Sequence, residues 1–192
     1  MEKSITNASM QPSSNEQQAQ ALIDEYHRIS NKLASDVKYN EGQNFSIYLD
    51  NLQELLGRDF DVFKKMSKSS AVIEIINWKM QADYAQGFLQ DEVDKLKHIV
   101  QVSEDDIEQM KKLSNTITRW ADDTKDDQEL SDTGVRHEVL GLANVTNIEI
   151  SQEVVKVQMM KNLLDKTHEI LHVALPIWED QLDALKKLYL LE

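Results

Sequence analysis

Residues 71–100 read AVIEIINWKMQADYAQGFLQDEVDKLKHIV. Apolar side chains recur there every three or four positions. Val72, Ile73, Ile76, Met80, Tyr84, Phe88 (or Leu89), Leu96, Ile99 and Val100 follow one face of a helix. Thirty continuous helical residues would be about 45 Å long. No proline interrupts the stretch, and Gly87 is tolerable inside it at a cost of about 1 kcal/mol. Upstream, Phe60, Phe63 and Met66 continue the pattern, with a break offered by Ser67-Lys68-Ser69-Ser70.

The rest of the chain is equally short of punctuation. Of 192 residues, 5 are Gly and 2 are Pro, and the prolines stand at Pro12 and Pro176. Turns between strands use these residues, so the scarcity argues against an all-β or doubly wound α/β fold. The expectation is an all-α chain: an elongated antiparallel bundle of long, coiled-coil-like helices. A single domain over 16–192 would follow a disordered, Ser/Asn/Gln-rich tail at 1–15.

On the N-terminal side, Leu22, Ile23, Tyr26, Ile29 and Leu33 predict a helix over 16–38. Asn40-Glu41-Gly42-Gln43 reads as a loop. Asn44 would then cap a short helix that ends at Gly57. On the C-terminal side, Ser103 with Asp106 resembles a capping box, opening a helix with Ile107, Met110, Leu113, Ile117 and Trp120 inward. Residues 121–132 hold six carboxylates and one Lys and read as a solvated connection. The longest pattern runs over 135–190, through Val139, Leu142, Val145, Ile148, Val155, Met159, Leu163, Ile170, Ala174, Trp178, Leu182 and Leu185. Residues 145–151 alternate as a strand would, but no partner strand is visible, so they read as helix.

The formal net charge is −13. That balance, without a basic run interleaved with aromatics, disfavours nucleic acid and anionic lipid as partners. The absence of cysteine excludes disulfides and thiolate chemistry. There is no signal-peptide core and no membrane-span pattern, so the expected location is cytoplasmic.

One stretch carries tempting chemistry. His168-Glu169-Ile170-Leu171-His172 matches H-E-x-x-H, in which two His one turn apart chelate Zn²⁺ and the Glu activates a bound water. A zinc-dependent metallohydrolase is thus one reading. Against it, the extended motif fails: Leu175 stands in place of Gly and Trp178 in place of the third His. Pro176 is also expected to interrupt the helix just beyond. The favoured expectation is therefore no metal and no cofactor. The cluster Asp122, Asp123, Asp126, Asp127, Glu129 and Asp132 fits no EF-hand frame, since Asp127 falls where Gly is needed. Trp120 and Trp178 lie on apolar stripes; Trp78, at the edge of its stripe, could mark an interaction surface. His27, His98 and His137 are scattered.

Leu163-Leu164-Asp165-Lys166, followed by Val173-Ala174-Leu175-Pro176-Ile177-Trp178-Glu179-Asp180-Gln181, resembles the toxic-anion-resistance proteins, the TelA/KlaA tellurite-resistance family. There a long helix runs into an Ile/Leu-Pro-Leu/Ile-Trp-x-x-Gln element, matched here by Pro176, Trp178 and Gln181. Glu179 departs from the Lys common in that family. The resemblance is specific over about 20 residues and implies a short, divergent member. It implies a cytoplasmic helical protein tied to tolerance of tellurite and of some cell-envelope stresses; the leading expectation built on it is a non-enzymatic stress-response protein that acts through an unidentified protein partner, with a homo-oligomer as a further option. It offers no catalytic residues to carry over. A generic coiled-coil adaptor is the third reading.

Overall fold

A computed structural model describes residues 14–33, 37–132 and 134–191, and of residues 37–44, 132 and 191 the backbone alone. The described chain is all-α: α1 (Ser14–Leu33), α2 (Val37–Leu56), a 3₁₀ turn (Phe60–Lys65), α3 (Lys68–Asp123), α4 (Gln128–Asp132), α5 (Val135–Glu169), a π-helical turn (Ile170–Ala174) and α6 (Leu175–Leu191). The tail expected at 1–15 lies outside the described residues as far as residue 13. Ser14 and Asn15 already belong to α1, and the Asn15 amide donates to Asp127 at 2.8 Å.

Local chemistry explains the breaks. Gly57 donates its N–H to the Gln53 carbonyl at 3.1 Å and closes α2. The Asp59 carboxylate accepts from the Asp61 N–H at 2.9 Å and opens the 3₁₀ turn. The Ser67 hydroxyl accepts from the Ser70 N–H at 3.2 Å, an N-cap at the start of α3. Asp127 caps α4 through the Leu130 N–H at 3.2 Å. Gly134, at φ 75°, takes the left-handed conformation that lets the chain turn into α5.

Several boundaries differ from the expectation. The backbone is helical through 40–43, so no loop separates Asn40 from Asn44 and Asn44 caps nothing. Ser103 and Asp106 open no helix either, because α3 passes through them unbroken for 56 residues. Ser103 is buried with its hydroxyl unpartnered among the described residues. Asp106 is fully buried and forms an ion pair with Lys32. Residues 145–151 are helical, as read.

The described residues sort into two compact units, and the division falls within α3 and α5, where sequence shows no linker. Unit 1 joins α1 to residues 105–154. Its helices pack antiparallel: Arg136 donates to the Ala121 carbonyl at 3.0 Å while Ser114 donates to Asn147 at 3.0 Å. Tyr26, Ile29, Met110, Leu113, Ile117, Trp120 and Val139 form its core. Unit 2 joins α2, the 3₁₀ turn and α3 up to Glu104 to the chain from Val155 onward. It too is antiparallel, with Lys79 paired to Asp183 at 2.9 Å and Lys161 to Glu104 at 2.6 Å.

Of the stripe read along 71–100, Leu89, Leu96 and Val100 are buried as read, but Ile73, Ile76, Met80 and Tyr84 face outward, and over 71–89 a different face is inside. The buried side chains are Ala71, Ile75, Trp78, Ala82, Ala85 and Leu89. On that face the large side chains Ile75, Trp78 and Leu89 alternate with small alanines, the ridge-and-groove relief on which helices pack.

Candidate functional site

The Pro176 element is built by a change of helix type. An α-helix would require the residue 176 N–H to bond the His172 carbonyl, and proline has no such N–H; its ring also crowds that turn. The π turn accommodates this. Leu175 donates its N–H five residues back to the Ile170 carbonyl, and the helix continues into α6. Pro176 therefore does not end the helix, contrary to the sequence expectation.

Two residues on, Trp178 is 4% exposed and stacks on Trp78, with ring centroids 6.5 Å apart and planes 10° from parallel. Phe63 packs against Trp78 at 4.8 Å, and the Arg58 guanidinium lies over the Trp78 ring at 5.5 Å. The Trp78 indole donates to Glu74 at 2.8 Å. Trp78 is thus core, not the surface marker that its place at the stripe edge suggested. The Trp178 indole N–H is buried without an acceptor among the described residues. Gln181 is exposed. Of the three motif residues, Trp178 positions the fold, Pro176 shapes the turn, and Gln181 faces solvent.

His168, Glu169 and His172 are all exposed beside this element. The two imidazoles lie 4.5 Å apart between centroids, on one side of the helix. Among the described residues no group of three or more His, Asp or Glu side chains is arranged to hold a metal ion. The pair supplies two ligands where a hydrolytic zinc needs three from protein. His27, His98 and His137 are exposed and lie apart from it.

The acidic connection serves the chain's own structure. Besides capping α4, Asp127 is held below its ordinary carboxylate range by the Asn15 amide and then by the Leu130 N–H. The side chain of Asp132 lies outside the described residues.

Part of the stripe that the sequence offered as an inward face is instead the outer face of α3. Ile73, Ile76, Met80 and Tyr84 are 60%, 39%, 64% and 69% exposed. Large apolar side chains at a helical spacing, open to water, are the composition of an interaction surface rather than a solvated face. Met80 and Tyr84 also border a groove of about 430 Å³ whose other wall includes Tyr48, Asn51 and Leu55 from α2 and Arg58 just beyond it. Tyr48 stacks on Phe88 at 3.7 Å. A hydrogen bond with Tyr84 holds the Tyr48 phenol above its ordinary range. Among the described residues no helix is long and apolar enough to cross a membrane.

No family model, no curated protein and no solved structure matches the chain.

Proposed function

We propose that this chain is a non-enzymatic helical interaction protein of the toxic-anion-resistance type, working in a cytoplasmic stress response by docking protein on the outer face of α3. The exposed row Ile73, Ile76, Met80 and Tyr84 carries the interaction reading. The link to tellurite and envelope stress rests on Pro176, Trp178 and Gln181, the residues that resemble the family element. The test is a deletion strain challenged with tellurite and with envelope-active antibiotics. Loss of tolerance, restored by the wild-type chain and not by Met80→Glu, is the expected result. Unchanged tolerance in the deletion strain would sink the stress assignment and leave a plain adaptor.

The close approach of His168 and His172 keeps a second reading open to experiment, a zinc-dependent hydrolase with Glu169 as base. Metal analysis of protein purified without chelator separates the two. One equivalent of zinc, lost on His168→Ala, would overturn the non-enzymatic proposal.

A further inference from the structure

The outer face of α3 has an internal symmetry that selects its partner. Ile76 and Tyr84 stand four residues either side of Met80, and Ile73 and Gly87 seven residues either side. We propose that the partner on this face is a second copy of the same chain, docked antiparallel about a two-fold axis at Met80. The inference rests on the interaction reading above and names its partner. In that arrangement Met80 meets Met80, Ile76 lies level with Tyr84, and Ile73 lies level with Gly87. Each unlike pair occurs twice, once on either side of the axis, as an isologous interface requires.

Gly87 gives independent support. It stands in mid-helix, where glycine is unfavourable, and a Cβ added there would meet nothing within 4 Å. Among the described residues nothing asks for glycine at this point. A second helix placing Ile73 over it does, because the absent side chain leaves room for that approach.

Charge allows the contact. The chain is 29% charged with a net −13, yet between Ser69 and Gln90 the only charged residues are Glu74, Lys79 and Asp83. Glu74 accepts from the Trp78 indole, and Lys79 pairs with Asp183. The five seam residues are uncharged, so the two acidic copies meet there on neutral side chains, and the exposed Asp83 flanks the seam within reach of the Lys79 ammonium on the same helix. The seam is about 21 Å long. One helix face of that length belongs to the small end of specific interfaces, about 1,000 Å² in total, which makes the dimer reversible.

The chain has no cysteine, so single thiols can report the geometry. Met80→Cys should cross-link to itself on mild oxidation. A mixture of Ile73→Cys and Gly87→Cys chains should cross-link to each other in preference to either alone. Ile148→Cys, exposed and off this seam, gives the background. Sedimentation equilibrium should show a concentration-dependent dimer in the wild type, weakened about tenfold or more by Met80→Glu. A wild type that stays monomeric across the concentration series overturns the proposal. So does an Ile73/Gly87 mixture that cross-links no better than each variant alone. If the monomer result comes with loss of stress complementation by Met80→Glu, self-association fails while the interaction reading stands. A dimer in a strain without a stress phenotype fails the stress assignment alone.

Discussion

In unit 1 the buried side chains include Asp106, Ser114, Thr124, Thr146 and Glu153, whereas in unit 2 the buried polar side chains among the described residues are Ser103 and Thr167. Unit 1 fixes its helices by directional contacts. Lys32 meets Asp106, and Glu149 accepts from Tyr26 at 3.0 Å and from Ser30 at 3.1 Å. Unit 2 relies on stacked rings around Trp78. Hydrogen bonds specify register, because a slipped helix leaves polar groups unmet. Ring packing specifies shape, and it tolerates an outer helix face that stays apolar. The contrast explains how unit 2 can carry an exposed row of Ile, Met and Tyr with its own core still complete.

The sharpest way to break this contrast is to remove a ring. Trp178→Ala should cost about 3–5 kcal/mol. Hydrogen exchange should then show amides of α2 and α6 losing protection well before those of α1. Equal loss in both units would mean that the aromatic stack is not particular to unit 2. Next in size, Lys32→Ala withdraws a half-exposed ammonium from the fully buried Asp106 carboxylate. Denaturant unfolding should register about 1–3 kcal/mol, and adding Asp106→Asn should return part of it.

A smaller pair of changes compares the units directly. Gly87→Ala and Gly141→Ala each replace an exposed mid-helix glycine whose added Cβ meets nothing within 4 Å. Each should stabilise dilute protein by about 0.5–1 kcal/mol. As concentration rises, only the Gly87→Ala gain should shrink, read as the change in Tm across a dilution series.

The smallest effect is electrostatic. A hydrogen bond from Lys79 holds the Asp183 carboxyl below its ordinary range. Its contribution is complete above the unfolded value of about 3.9 and is lost as pH falls through the lower folded value. In acid titration followed by Tm, Asp183→Asn should flatten the profile of unit 2 slightly below about pH 4. A profile identical to wild type would assign the pair no role.

Legibility followed the same division. The inward face Ile107, Met110, Leu113, Ile117 and Trp120 was readable, and all five are buried, because one stripe there holds every large apolar residue. Over 71–90 two apolar faces compete. The one from Ile73 to Tyr84 drew the reading, while the other, which holds Ile75, Trp78 and Leu89 among Ala71, Ala82 and Ala85, is the one buried. The same happened in α5, where Val145, Ile148, Val155 and Met159 are exposed. Asp106 was read as a cap because a buried ion pair depends on Lys32, 74 residues away, which no local pattern encodes. The turn at Pro176 left its trace in the proline itself, which reads as an interruption and which the structure absorbs in a π turn.

That wide turn also bears on how the chain tolerates changes of length. A π turn is an α-helix carrying one surplus residue, absorbed locally so that the helix beyond keeps its facing. Elsewhere in α5 a single deletion would swing everything downstream by about 100° around the axis. Within Ile170–Ala174 a deletion could be taken up by tightening the turn, leaving Trp178 over Trp78, provided Pro176 were replaced by a residue able to donate its N–H. The proline thus acts as a ratchet: it keeps the extra residue in place once the helix has acquired it.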